Sequence, residues 1–347
     1  MSQRSLASAA ALASVIAGLL LAQAHVFGQA PSRAAKGTSA GKTWTLPRTP
    51  DGKPDLQGTW TNATLTPLER RKGVGTKEFY TDQEFAELAK RVRKGDIGQE
   101  GDLGAAADNP LRYDLSLYGF DLTKATFASN KRTSLIVGPE GVVPPMLPEA
   151  RRRNAERAAR NKGKEFDGYE NRPLAERCIL TTQERLPMIP SVNDSNLLQI
   201  VQEPGQVAML HEINHSTRVI PTDGRPHIAP NIRQWQGDSV GRWEGNTLVV
   251  DTTNFTDLTN YRGSSEHLHM VERFTRVNDE TILYEFTLED PTTWARPWTV
   301  EIPLTKTDGP VYEWACHEGN TMLTTILRGA RVADEEAAQN IKQKINK

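Results

Sequence analysis

Between Met209 and Ile220 the chain reads His211-Glu212-Ile213-Asn214-His215, two imidazoles and a carboxylate in the H-E-x-x-H order of zinc peptidases. That chemistry needs a helix, where residues four apart sit one turn up the same face, about 6 Å along the axis. On a strand the same four steps span about 13 Å, too far for both rings to reach one ion at ~2 Å. The local residues favour a strand: Val207, Ile213, Thr217, Val219 and Ile220 are β-branched, and Pro204-Gly205 suits a type II turn just before them. Arg218 and Pro221 stand where metzincins place glycine and histidine. The expectation is therefore no metal, and a zinc metallopeptidase is the weakest functional reading. No Walker loop, G-x-G-x-x-G turn or G-x-S-x-G elbow is present, so no cofactor is expected either.

Strand alternation gives the same residues another use. It puts Val207, Met209, His211 and Ile213 on one face, so His211 should point inward. In "SSEHLHMVERFTRV", His267, His269, Val271 and Arg273 share one face and Leu268, Met270, Glu272 and Phe274 the other. A carboxyl in that apolar row would have its pKa raised by burial and could act as general acid or base. The plainer reading pairs Glu272 with an arginine on a neighbouring strand. His211, His269 and Glu272 are the candidate catalytic groups. "VIPTDGRPHIAP" offers Arg225 and His227 in a turn between strands, and "WQGDSVGRWEGNTLVVDTTNF" offers Trp235 and Asp251. These four are the candidate substrate-binding residues, able to meet an anionic or hydroxylated ligand or to stack a ring. Ile282, Tyr284, Phe286 and Leu288 alternate in "TILYEFTLEDP" and read as plain core.

The elements that must hold these residues are mostly short strands. From residue 191 to 330, β-rich runs at Leu197–Gln202, Gln206–Ile213, Ile232–Trp235, Thr247–Thr252, His267–Thr275, Thr281–Leu288, Trp298–Ile302 and Val311–Ala315 alternate with turn residues. The fold expected is mainly β, an antiparallel β-barrel or sandwich, with peripheral helices and a long irregular N-terminal wrap. Residues 46–190 form that wrap. It holds a capping box at Thr81–Glu84 and a helix from Pro148 to about Asn161, whose arginines read as a solvated face. A polar helix over 334–345 closes a single domain of residues 46–347.

Residues 1–24 have the layout of a secretory signal peptide: Arg4, an apolar stretch from Leu6 to Leu21, and Ala22-Gln23-Ala24 at the cut. Residues 25–45 read as a flexible linker. Export to a periplasmic or extracellular location follows, with no transmembrane segment in the mature chain, since the other apolar runs are too short. In that compartment the two cysteines, Cys178 and Cys316, favour a disulfide over a Cys316-His317 nucleophile. With 42 Lys+Arg against 43 Asp+Glu there is no net field to attract nucleic acid.

The blocks "PDGKPDLQGTW", "DGRPH", "GDSVGRWEGNTLVVDTTNF", "LHMVERFTR" and "ACHEGN" resemble those of a family of uncharacterised exported bacterial proteins. The resemblance spans most of the mature chain and implies export, but it carries over no catalytic residue. Gly58-Thr59-Trp60 also fits the lipocalin G-x-W, an architectural analogy to the calycins. The function expected is an exported small-molecule-binding β-barrel protein performing metal-free acid–base chemistry (isomerase, lyase or hydrolase) on an apolar, aromatic or glycosidic molecule. The alternatives are a non-catalytic ligand carrier and an envelope interaction protein that uses the basic helix Pro148–Asn161. Neither the oligomeric state nor the ligand follows from the sequence.

Overall fold

The computed structural model describes residues 44–93, 128–138, 140–180, 186–188, 197–259 and 261–346. The signal segment 1–24, nearly all of the linker 25–45 and most of the glycine-punctuated stretch 95–130 lie outside the described residues. Residues from Trp44 onward belong to one compact unit.

Nine strands make one antiparallel sheet: β1 (Gly58–Thr61), β2 (Leu197–Glu203), β3 (Gln206–His211), β4 (Ser216–Pro221), β5 (Asp238–Glu244), β6 (Thr247–Thr253), β7 (His269–Asn278), β8 (Thr281–Glu289) and β9 (Trp298–Thr307). Their order across the sheet is β4-β3-β2-β1-β9-β8-β7-β6-β5. Local turn chemistry sets most neighbours. Gly205 takes φ 83 in the two-residue loop after Pro204, and Glu203 pairs with Gln206 across it. Glu244 pairs with Thr247 around Gly245-Asn246, and Asn278 with Thr281 around Asp279-Glu280.

Period-two burial gives the sheet one dry face. Met270, Phe274, Ile282, Tyr284, Phe286, Leu288, Trp298, Val300, Ile302 and Leu304 project from β7–β9 into one core cluster. Trp60 of β1, Leu198, Ile200 and Met209 join it, and its aromatic members stack or meet edge-on.

The sheet curls like a barrel but does not close. Neighbouring strands alternate in direction, so the first and ninth in the order, β4 and β5, must run the same way. No ladder joins these two edges among the described residues. They nevertheless lie side by side. A Cβ on Gly241 of β5 would stand 3.0 Å from Ile220 Cγ2 of β4, a close approach that glycine eases. Gln236 Nε2 donates to Ser216 Oγ at 2.7 Å near the start of both strands.

Among the described residues three α-helices lie outside the sheet: α1 (Asp82–Arg93), α2 (Pro148–Asn161) and α3 (Met322–Ile345). The capping box ahead of α1 forms as expected, with Thr81 N donating to Glu84 Oε2 at 2.8 Å and Glu84 N to Thr81 Oγ1 at 3.3 Å. The basic face of α2 is only partly solvated. Arg153 donates to Thr292 O, Gly263 O and Thr293 Oγ1, and Arg157 pairs with Asp257, so these two dock the helix.

Several boundaries differ from the sequence expectation. Helix α3 starts at Met322 rather than at 334. Ile232–Trp235 is no strand, contributing only an isolated bridge from Gln234 to Phe255, and Val311–Ala315 forms no ladder. Strands β1, β4 and β5 were not among the expected runs. β1 is four residues long, and β5 carries Gly241 among the charged Asp238, Arg242 and Glu244, so pairing rather than propensity makes β5 a strand.

Candidate functional site

The H-E-x-x-H segment is not helical enough to hold an ion between its histidines. β3 ends at His211, two residues earlier than the sequence suggests, and Ile213–His215 is a single 3-10 turn. His211 is buried whereas His215 is exposed at φ 52. Among the described residues no group of three or more His, Cys, Asp and Glu is arranged to hold a metal ion.

His211 does face inward. Among the described residues its Nε2 is buried without a hydrogen-bond partner. Burial, with the nearby Arg218 guanidinium, lowers its pKa from the ordinary 6.5 to about 3, so the ring is neutral at pH 7.

Arg218 belongs to a network inside the curl of the sheet. It projects inward from β4 beside Ile220 and meets Glu272 of β7 in a fork: Nη1 to Oε2 at 2.6 Å and Nη2 to Oε1 at 3.1 Å. The Tyr284 hydroxyl of β8 donates to Glu272 Oε1 at 2.9 Å. Burial and the Glu272 charge push the Tyr284 pKa well above its ordinary value. The Glu272 side chain is fully buried and Arg218 is 6% exposed. The ion pair thus spans the unladdered seam, tying edge strand β4 to β7.

The proposed grouping of His211, His269 and Glu272 is therefore divided. His269 and Glu272 are three residues apart on β7, and an odd separation on a strand points side chains to opposite faces. Glu272 enters the dry interior, while His269 stands on the outer face.

There His269 meets the other polar candidates. Its Nε2 donates to both oxygens of Asp251 on β6, each at 3.1 Å. His227 Nε2 lies 3.1 Å from Asp251 Oδ1, and His227 Nδ1 lies 2.7 Å from Oδ2 of Asp238 on β5. The backbone N–H of Ile228 also donates to Asp238 Oδ2, at 3.1 Å. Oδ1 of Asp238 has no partner among the described residues. A neutral His227 can donate to only one of its two carboxylates, an imidazolium to both. Side-chain exposure rises along this chain of groups: Asp238 16%, His227 26%, Asp251 26%, His269 37%. The Asp251 carboxylate raises the His269 pKa against the opposing effect of burial. At Asp251 burial raises the pKa, but the hydrogen bonds and charges of His269 and His227 together hold it below the ordinary value.

Asp238 forms part of the wall of a groove of about 580 Å³ that runs along the seam between β4 and β5. Arg225, Arg233, Trp235 and Gln236 line it from the connection between the strands, and Arg218 and Ser239 from the strands. Among the described residues Arg218 Nε is buried and unpaired. Of the substrate-binding candidates, Arg225 and Trp235 line the groove, while His227 and Asp251 stand behind its Asp238 wall.

Sequence reasoning passed over Arg218 and Asp238 as site residues and read Tyr284 as plain core. Arg218 shares a parity with Ile220 in "STRVIP", a signal available in the strand pattern. Asp238 gave no such signal, because its partner His227 arrives from a loop.

Cys178 and Cys316 form a disulfide with Cα atoms 5.8 Å apart. No helix among the described residues is long and apolar enough to cross a membrane. The chain matches no family model, no curated protein and no solved structure.

Proposed function

We propose that the protein is exported and binds a small molecule in the seam groove, where it performs metal-free acid–base chemistry of the isomerase, lyase or hydrolase kind. The single observation that carries this reading is the hydrogen-bonded chain from the groove wall toward solvent, Asp238–His227–Asp251–His269. The groove volume falls in the range of small-molecule sites. Asp238 is the group that faces the ligand: Oδ2 is held by His227 and Ile228, leaving Oδ1 to take or give a proton. His227, hydrogen-bonded to both carboxylates, compensates the change of charge at Asp238, and His269 braces Asp251 from the solvent side. Trp235, Arg225 and Arg233 orient the ligand. The disulfide and the leader-like start of the chain support export.

The test is a metabolite screen that reads both binding and turnover, run on the wild type and on Asp238→Asn. Turnover lost with binding retained supports the reading. Ligands that bind the wild type without any turnover make the protein a carrier and remove the catalytic half. Binding that survives Trp235→Ala and Arg233→Gln unchanged places the ligand elsewhere and removes the site.

A further inference from the structure

We propose that the ligand of the seam groove is an anion, a carboxylate or phosphate on an apolar ring, with its charged group held by Arg225 and Arg233 at the rim. This rests on the groove being the binding site and goes on to name the ligand class.

The groove is lined by three guanidinium groups, those of Arg218, Arg225 and Arg233, against one carboxylate, that of Asp238. The carboxylate partners of these arginines, Glu272, Asp223 and Glu266, stand outside the lining. The three arginines are not equivalent. Arg218 is spent: its fork with Glu272 is dry on both sides, and exchanging that partner for a ligand would strand a buried carboxylate. Arg225 and Arg233 are engaged by partners that solvent reaches. Arg225 binds Asp223 two residues away, with side chains 61% and 41% exposed. Arg233 Nη1 donates to Glu266 O at 2.9 Å, and Nη2 lies 3.5 Å from Glu266 Oε2.

Exposed pairs of this kind contribute little to stability, so an incoming anion displaces Asp223 or Glu266 at small cost. Guanidinium groups also match the planar, two-oxygen geometry of carboxylate and phosphate. The other walls suit a ring. Val219, Pro221, Pro226, Ile228 and Val240 are apolar, and Trp235 presents an indole. Arg218 adds nothing to this recognition, since both Nη atoms are engaged by Glu272 and Nε is buried.

The test is calorimetric titration of the full chain with benzoate, phenyl phosphate and benzyl alcohol, which share a ring and differ in charge. Benzoate or phenyl phosphate should bind at least about tenfold more tightly than benzyl alcohol, and which of the two is tighter identifies the anion. Arg233→Gln and Arg225→Gln should each weaken that binding about tenfold, with unchanged melting temperatures showing that the variants fold. Asp223→Asn frees Arg225 from its competitor and should tighten binding several-fold, an effect that damage to the fold does not mimic. Equal binding of all three probes, lost in Trp235→Ala, would overturn the anion assignment while leaving the groove as the site. Anion binding indifferent to Arg225, Arg233 and Trp235 overturns both.

Discussion

Replacing Glu272 with glutamine should cripple stability rather than catalysis. The carboxylate accepts three hydrogen bonds, from Arg218 Nη1 at 2.6 Å, Arg218 Nη2 at 3.1 Å and the Tyr284 hydroxyl at 2.9 Å. Glutamine keeps the shape but turns one acceptor into a donor, which in either orientation must face a guanidinium N–H. It also leaves the Arg218 charge without a counterion at 6% exposure. Removing one partner of a buried pair costs about 3–5 kcal/mol, a large share of the roughly 5–15 kcal/mol that holds an ordinary domain together. The assay is urea unfolding at pH 7 followed by tryptophan fluorescence and by far-ultraviolet circular dichroism, with the two transitions required to coincide. The decisive companion is the double variant Arg218→Met/Glu272→Leu, in which both charges leave together. Burying apolar groups of similar volume is often neutral or stabilising, so the double variant should recover most of the loss. A cost below about 1 kcal/mol for Glu272→Gln at unchanged denaturant slope would show that the pair is not dry. A double variant as unstable as the single one would refute the view that the loss comes from a stranded buried charge rather than from the volume and hydrogen bonds of these side chains.

Acid should unfold the protein partly through His211. Its pKa of about 3 in the fold lies below the ordinary 6.5, so between those values the unfolded chain binds a proton that the folded one refuses. Stability therefore falls as pH drops through that window, by up to about 1.4 kcal/mol per pH unit from this residue. His211→Leu should flatten the decline of urea midpoints between pH 6 and 4, and an unchanged slope would count against a neutral buried ring. For the disulfide, thiol titration of the native chain should find no free thiol and the reduced, denatured chain two. The bridge joins residues 138 apart, so Cys178→Ser/Cys316→Ser should lose about 4–5 kcal/mol on the chain-entropy account. Two reactive thiols in the native chain would dismiss the bridge.

What the sequence disclosed well was parity. "HLHMVERFTRV" and "TILYEFTLEDP" alternate strictly, and every inward and outward assignment read from them for β7 and β8 matches the observed burial. Helix α2 could be read because Pro148 begins it and its pattern persists over 14 residues. β5 could not, because Gly241 and three charged residues give it no strand signature, although Gly241 eases the close approach at the seam. Helix α3 begins 12 residues before the segment that looked helical.

Parity also explains why His211, His269 and Glu272 do not come together. Alternation already placed His269 and Glu272 on opposite faces, so no single strand could bring them together. The real convergence is between strands and a loop: His227 comes from the connection between β4 and β5 and bridges Asp238 of β5 to Asp251 of β6. That connection must cross from one edge of the sheet to the other, because β4 and β5 follow each other in sequence yet end the strand order at opposite sides. An odd number of antiparallel strands leaves these edges parallel, so no tight hairpin can join them and a long crossing segment is obligatory. The groove and the loop that brings Arg225, His227 and Arg233 to it lie along that crossing segment. That crossing becomes visible only when the order of all nine strands is known, not from any stretch of sequence read alone.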